Sequence, residues 1–159
     1  TEESLEIQEK AKEIAISVIE KTKMVGLLAV EMFITQSNEL LVNEIAPRTH
    51  NSGHHTIESS ATSQFMQHLR AILNLSSGST AISSPSAMIN LLGEQGFSGA
   101  AIYKGLEEVM SWPGVYVHLY GKAQTKPFRK MGHVTLVDPD LESLKKKAKF
   151  VKQILKVKA

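Results

Sequence analysis

"GLLAVEMFITQSNELLVNEIAPRTHNSGHH", residues 26–55, opens with two β-rich runs separated by the turn formers Gln36, Ser37 and Asn38, and closes on a loop crowded with polar chemistry. The two runs read as a β-hairpin, and Pro47 ends the second of them. On the first strand Leu28, Val30, Met32 and Ile34 share one face, so Glu31 points the other way, between Ala29 and Phe33. Glu44 lies thirteen positions later, an odd separation that puts both carboxylates on one sheet face only in some registers. Pairing Thr35 with Leu40 across a four-residue loop is such a register, and it sets Glu31 directly opposite Glu44. Like charges facing each other across strands destabilise a hairpin by a few tenths to about 1 kcal/mol. A cation between them would relieve this, and Mg²⁺ is the natural candidate, a hard ion completed by water and phosphate oxygens. Pairing with nearby Lys or Arg, or an escape to solvent at a sheet edge, would relieve it equally.

The loop beyond Pro47 adds more chemistry. Arg48 offers a planar fork for carboxylate or phosphate, and Gly53 can take the positive φ that lets successive N–H groups cradle an anion. His50 can serve near neutral pH as acid, base or hydrogen-bond donor. A zinc site from His50, His54, His55 and Glu44 is the competing arrangement, with no helix to align the histidines.

Working outward, Ile7, Ala11, Ile14, Ala15, Val18 and Ile19 recur at helical spacing before the hairpin, with acidic residues in the first turn and lysines in the last. After the loop, Phe65, Met66, Leu69, Ile72 and Leu73 mark a second helix, capped by Thr62 and stopped by the linker-like "NLSSGSTAISSP". His68, Gln64 and Gln67 fall on its polar side with no special role expected. Beyond Pro85, "SAMINLLG", "GVYVHLYGK" and "HVTLV" read as strands, and "AAIYKGLEEVM" as a short helix. His118 and His133 are expected as satisfied sheet residues, and Trp112 as an apolar plug at a turn. Asp138 before Pro139 signals a final helix with the apolar stripe Leu141, Leu144, Ala148, Val151, Ile154 and Leu155. These elements predict an α+β fold: the helix, hairpin and helix of a first domain over residues 1–78, and a small β-rich domain over 79–159 closed by a helix.

Composition bounds the rest. The 159 residues are 42% hydrophobic, enough for a real core, and 18 basic against 16 acidic side chains leave a net charge of +2. Many of the lysines crowd into the last fifteen residues, with a single aromatic, Phe150, among them, so a solvated helix face is expected there and no nucleic-acid partner. There is no cysteine, which fits a reducing compartment, and no apolar run reaches the roughly 18 residues of a membrane span. A cytoplasmic protein without membrane attachment is expected. The sequence starts without Met and enters a helical pattern at once, so a longer chain is expected upstream.

The stretch "GLLAVEMFITQSNELLVNEIAPRTHNSGHHTIESSATSQFMQHLRAILNL" resembles the second half of the ATP-grasp domain in the 5-(carboxyamino)imidazole ribonucleotide synthase family of purine biosynthesis. "SAMINLLG", "HLYGK" and "RKMGHVTL" resemble that family's small C-terminal domain, in the same order. The resemblance implies an ATP-grasp carboxylate-amine ligase that converts aminoimidazole ribonucleotide, bicarbonate and ATP to the carboxyamino product, by way of a carboxyphosphate. It implies Glu31 and Glu44 as ligands of Mg²⁺ at the ATP phosphates, with Asn43 and Glu44 at the nucleotide. It implies Arg48 and His50 as catalytic groups facing bicarbonate, carboxyphosphate or the substrate amine, with Asn51 and Ser52 shaping that pocket. Arg129 and Lys130, with Lys122, resemble the family's site for the ribonucleotide 5′-phosphate; on their own residues they read equally as a solvated basic loop. The family implies a homodimer for the full-length enzyme.

The sequence departs from the family at Phe128, where glycine is expected, and nowhere in the 159 residues is there a Gly-rich phosphate loop. The chain by itself is therefore expected neither to turn over nor to bind ATP tightly. Two other functions are compatible with the same residues: another carboxylate-amine ligase, such as a formate-using purine transformylase, and a non-catalytic nucleotide- or metal-binding module. Bicarbonate against formate as cosubstrate separates the ligases; a phosphate-loop lysine and Gly-rich lid upstream separate enzyme from module.

Overall fold

The computed structural model describes residues 3–159, which form an α+β arrangement in two compact units. The first unit holds the chain up to residue 53 together with 62–79; the second holds 54–61 and 80–159.

In the first unit, helix α1 (Leu5–Thr22) starts where the Ser4 side chain accepts the Ile7 N–H, and ends on Lys23 in left-handed geometry. Its predicted apolar stripe is the half-buried face. Strands β1 (Ala29–Ile34) and β2 (Leu40–Ala46) form the antiparallel hairpin. The expected register is one residue out near the turn, where Ile34 rather than Thr35 pairs with Leu40, because Thr35 closes a five-residue turn by donating its N–H to the Glu39 carbonyl. A β-bulge at Asn43 then absorbs one residue, so Met32 faces Val42 while Glu31 faces Glu44 as expected. Helix α3 (Gln64–Ile72) follows a short helix α2 (Thr56–Ser59) of the second unit and is capped by Ser63, one residue after the expected Thr62. The predicted polar side of α3 has structural work after all. The His68 Nδ1 accepts the Leu27 N–H at 3.0 Å, and the Gln67 amide both donates to and accepts from the backbone of Gly78.

The second unit is built on the antiparallel sheet β3–β8–β6, from Ser86–Leu92, Lys130–Val137 and Val115–Leu119. Two further pairs flank it: β4 (Gly99–Ala100) with β7 (Gln124–Thr125), and β5 (Ile102–Lys104) with β9 (Lys156–Lys158). "AAIYKGLEEVM" is thus half strand, and only Leu106–Met110 is helical (α4), because the cross-strand partner of Ile102–Lys104 comes from the chain terminus, which local periodicity cannot reveal. The central strand β8 is buried from Met131 to Leu136. Its Val134 and Leu136 join Leu91, Val115, Leu144, Val151 and Val157 in one core under helix α5 (Leu141–Ile154). Trp112 packs flat on Phe150 of α5, the apolar plug expected. Helix α5 starts later than predicted: Asp140 is its cap, accepting from Ser143, whereas Asp138 accepts the Asp140 N–H, the Ser143 hydroxyl and the Lys147 ammonium. Those donors, Lys147 foremost, hold the Asp138 carboxyl down to about 2.

The opposite face of β8 is polar and buried. His133 stacks on its cross-strand neighbour His118 at 4.4 Å, the His54 ring lies 4.8 Å away, and the Tyr120 hydroxyl is 3.0 Å from His133 Nδ1. Of the two histidines expected to be satisfied, His118 is, through Glu58 at 2.7 Å; His133 keeps a buried Nε2 with no hydrogen-bond partner. Burial, followed by the His118 and His54 charges, pushes His133 down to about 4.

Leu136→Ala is expected to cost about 2–5 kcal/mol in urea denaturation, as the side chain is fully buried, while Leu141→Ala, half exposed, should stay within about 0.5 kcal/mol. The folded state binds fewer protons at His133 than the unfolded chain does between about 4 and the ordinary 6.5. Stability should therefore fall as pH drops from 7 through this window and level off below it, and His133→Gln should flatten that slope in denaturation curves taken across pH.

Candidate functional site

The bulge at Asn43 decides where the site's carboxylates point. By letting one residue drop out of the ladder, it brings the Glu31 and Glu44 side chains to the same face in spite of a turn that would have set them apart. Asn43 itself donates to Glu31 Oε2 across 3.4 Å. The third member is His50, whose Nε2 lies 3.1 Å from Glu31 Oε1 and 3.7 Å from Glu44 Oε1. One ligand atom from each of the three falls within 4.8 Å of the others, and this is the only such group of three or more metal-capable side chains among the described residues. Within the described residues neither carboxylate pairs with Lys or Arg, so the alternative of a basic partner is not the one realised.

His50 is held from behind. It is buried, while Glu31 is half exposed and Glu44 exposed. The side-chain amide of Gln64, itself buried at the start of α3, accepts the His50 N–H at 2.9 Å and donates to the His50 carbonyl at 2.8 Å. Ser52 Oγ contacts His50 Nδ1 at 2.8 Å, which leaves Nε2 to face the carboxylates. Residues 51–53 form a single 3-10 turn, closed by the Gly53 N–H on the His50 carbonyl. Gly53 does not adopt the positive φ expected of it; its need is for space, since a Cβ there would come within 2.5 Å of Gln64 Oε1 and break the clamp. Nothing in the sequence singles out Gln64, which reads as one more polar residue on a helix. Its signal would have been a glutamine at a helix start beside a glycine turn.

Of the other expected site residues, Arg48 is exposed and donates to the carbonyl of Thr49, and Asn51 and Ser52 lie in the 3-10 turn. His54 and His55 belong to the second unit and find partners there. His54 packs on His133, and His55 contacts Ser59 and Ser86, with burial lowering its basicity, and the metal-capable group found among the described residues is Glu31, Glu44 and His50. In the second unit the Lys122 ammonium donates to the Lys130 carbonyl at 2.6 Å, and Arg129 donates to the Gln124 carbonyl at 3.2 Å. Phe128, preceding that basic pair, sits at φ 62°, a left-handed conformation that glycine adopts freely and that costs another residue about 1–2 kcal/mol. In this turn the Phe128 N–H donates to the Gly93 carbonyl, and the Gly93 N–H to that of Arg129.

The donor set suits a hard divalent cation. Two carboxylates converge on the solvent-accessible side, where water or phosphate oxygens can complete a shell, and the buried imidazole is fixed behind them. Gln64→Ala should cost about 1–3 kcal/mol by leaving the His50 backbone groups without partners. It should also move the His50 ring resonances in NMR toward those of a solvated imidazole, as the ring leaves the carboxylates.

Residues 1–65 match the ATP-grasp domain family, and residues 86–147 match the phosphoribosylaminoimidazole carboxylase C-terminal domain. The chain is 44% identical over 131 residues to the N5-carboxyaminoimidazole ribonucleotide synthase of Bacillus subtilis, a match taking in 82% of this chain and 33% of that protein. The crystal structure of the corresponding synthetase from Thermotoga maritima superposes on the whole chain, covering 44% of its own, with a TM-score of 0.94 and 51% identity. The Aspergillus clavatus synthase, crystallised with ADP and 5-aminoimidazole ribonucleotide, gives a TM-score of 0.83 and 36% identity over 96% of this chain and 41% of its own. The chain thus spans about a third of the curated relative and less than half of each structure. With an ATP-grasp match followed by a match to that specific C-terminal domain, the chain is similar along most of its length to a portion of the N5-carboxyaminoimidazole ribonucleotide synthases.

Proposed function

We propose that the chain is part of an ATP-dependent carboxylase that joins bicarbonate to the exocyclic amine of aminoimidazole ribonucleotide in purine biosynthesis. The observation that carries the reading is the convergence of Glu31, Glu44 and His50, held by Gln64, inside a stretch that matches this family along its length. In this reading Glu31 and Glu44 hold Mg²⁺, with Asn43 beside them at the nucleotide. The ion, when bound, neutralises phosphate oxygens of ATP.

A bicarbonate oxygen attacks the γ-phosphorus and ADP leaves; the amine nitrogen then attacks the carbonyl carbon of the carboxyphosphate, phosphate leaves and the nitrogen gives up a proton. Arg48 and His50 serve as the cation and hydrogen-bond donor for the anions that form, and preorganised groups of this kind are the main resource for phosphoryl transfer. Asn51 and Ser52 shape the same pocket. Lys122, Arg129 and Lys130 take the 5′-phosphate of the ribonucleotide. The boundary between the ATP-grasp portion and the C-terminal domain is proposed at 78/79, between the two matched segments. A cytoplasmic homodimer without nucleic-acid partner completes the proposal, and no helix among the described residues is long and apolar enough to cross a membrane.

In an enzyme carrying this sequence as its C-terminal portion, Glu31→Gln and Glu44→Gln should each lower kcat about 100-fold or more and raise the Mg²⁺ concentration needed for half-maximal rate. The assay is incorporation of labelled bicarbonate. Turnover with formate in place of bicarbonate would reject the carboxylase in favour of a transformylase, and unaltered rates in both variants would reject the metal role.

A further inference from the structure

A row of polar side chains crosses the buried face of the second unit and ends at the basic loop. It starts at Glu58 of α2, whose side chain is only 9% exposed and whose Oε1 accepts from His118 Nε2 at 2.7 Å. His118 stacks on His133, opposite it across β6 and β8, with the rings nearly parallel at 13°. His133 Nδ1 meets the Tyr120 hydroxyl at 3.0 Å. The Lys122 ammonium then lies 5.7 Å from the centre of the Tyr120 ring, within the reach of a cation–π contact, while it donates to the Lys130 carbonyl.

The row is costly. Glu58 Oε2 and His133 Nε2 are buried without hydrogen-bond partners, and such groups weaken a fold compared with apolar residues of similar shape. Packing alone does not call for it. What the row achieves is to fix the phenol: the hydroxyl of a partly exposed tyrosine is tied to a buried imidazole, which is in turn held by a neighbouring ring and a carboxylate. The face of that phenol and one backbone carbonyl together confine the Lys122 ammonium. An ammonium has three N–H donors, so one spent on the Lys130 carbonyl leaves two for a phosphate. A lysine held this way does not lose its side-chain freedom again when the ligand arrives.

We propose that Tyr120 and His133, backed by His118 and Glu58, are positioning residues that hold the Lys122 ammonium ready for the phosphate monoester of the ribonucleotide substrate. This rests on the reading of Lys122 as a phosphate ligand given above. The row acts through Lys122 and touches no reacting atom, so it sets substrate affinity rather than the chemical step.

The test is steady-state kinetics on an enzyme carrying this sequence, with Tyr120→Phe, Lys122→Ala and the double variant. Tyr120→Phe keeps the ring and removes its tether. It should raise KM for aminoimidazole ribonucleotide about 5-fold while kcat and KM for ATP stay within about twofold. Lys122→Ala should raise the same KM more, and adding Tyr120→Phe to it should change nothing further, because the tether then has no ammonium to hold. Should Tyr120→Phe fold poorly, Glu58→Gln reads the row from its far end and should raise the same constant. A full additional effect of Tyr120→Phe in the Lys122→Ala background, or equal changes in both KM values and kcat, would overturn the positioning role alone. An unchanged ribonucleotide KM in Lys122→Ala would overturn the phosphate reading and this inference with it.

Discussion

The polar loop after β2 depends on one amide. Gln64 supplies both a donor and an acceptor to the backbone of a single residue, His50, and both bonds are buried, where an unmade partner is expensive. The clamp fixes the chain direction at His50 and presses Gly53 against the glutamine. With Ser52 on the other ring nitrogen, it leaves the imidazole one direction to face, toward the two glutamates. The carboxylates, being on a hairpin, converge by register; the histidine converges because a helix start reaches across to it. The first unit thus builds its cluster from three local devices, a bulge, a 3-10 turn and a helix start.

The second unit solves a different problem. Its central strand is buried on both faces, and only one of them is filled with apolar side chains. On the other, imidazoles stack and share few donors, and His133 is kept neutral by its surroundings. Just past the end of the same strand, Asp138 is surrounded by donors and remains ionised to low pH. Buried polar groups therefore meet opposite fates a few residues apart along one strand and its exit: desolvation disfavours charge at His133, and hydrogen bonds favour it at Asp138.

Much of this was legible in the sequence, and the parts that were not share a cause. Alternation and turn residues showed the hairpin, and an odd separation between Glu31 and Glu44 showed that they could face each other. Helical spacing located α1, α3 and α5. The larger misses involve partners far apart in the chain. The pairing of β5 with β9 depends on residues about fifty positions away, the role of Gln64 on a residue fourteen positions back, and the Glu58–His118 contact on one sixty positions on. Periodicity reports what a residue's own neighbours do, and carries nothing about those. The late start of α5 is a local miss, like the turn register and the cap of α3: Asp138 and Asp140 are both good caps, and only the geometry tells which one caps and which supports.

The bulge at Asn43 also separates two tolerances to change. Because it lies between the turn and the facing glutamates, the connection at residues 35–39 can gain or lose residues over evolutionary time in ways that the outer rungs of the ladder absorb. Deleting Asn43 itself would make Glu44 the rung after Val42, so the two glutamates would still face each other while Glu31 lost the Asn43 amide. Length drift in this hairpin should thus be taken up at its tip or at the bulge, with Glu44 kept opposite Glu31.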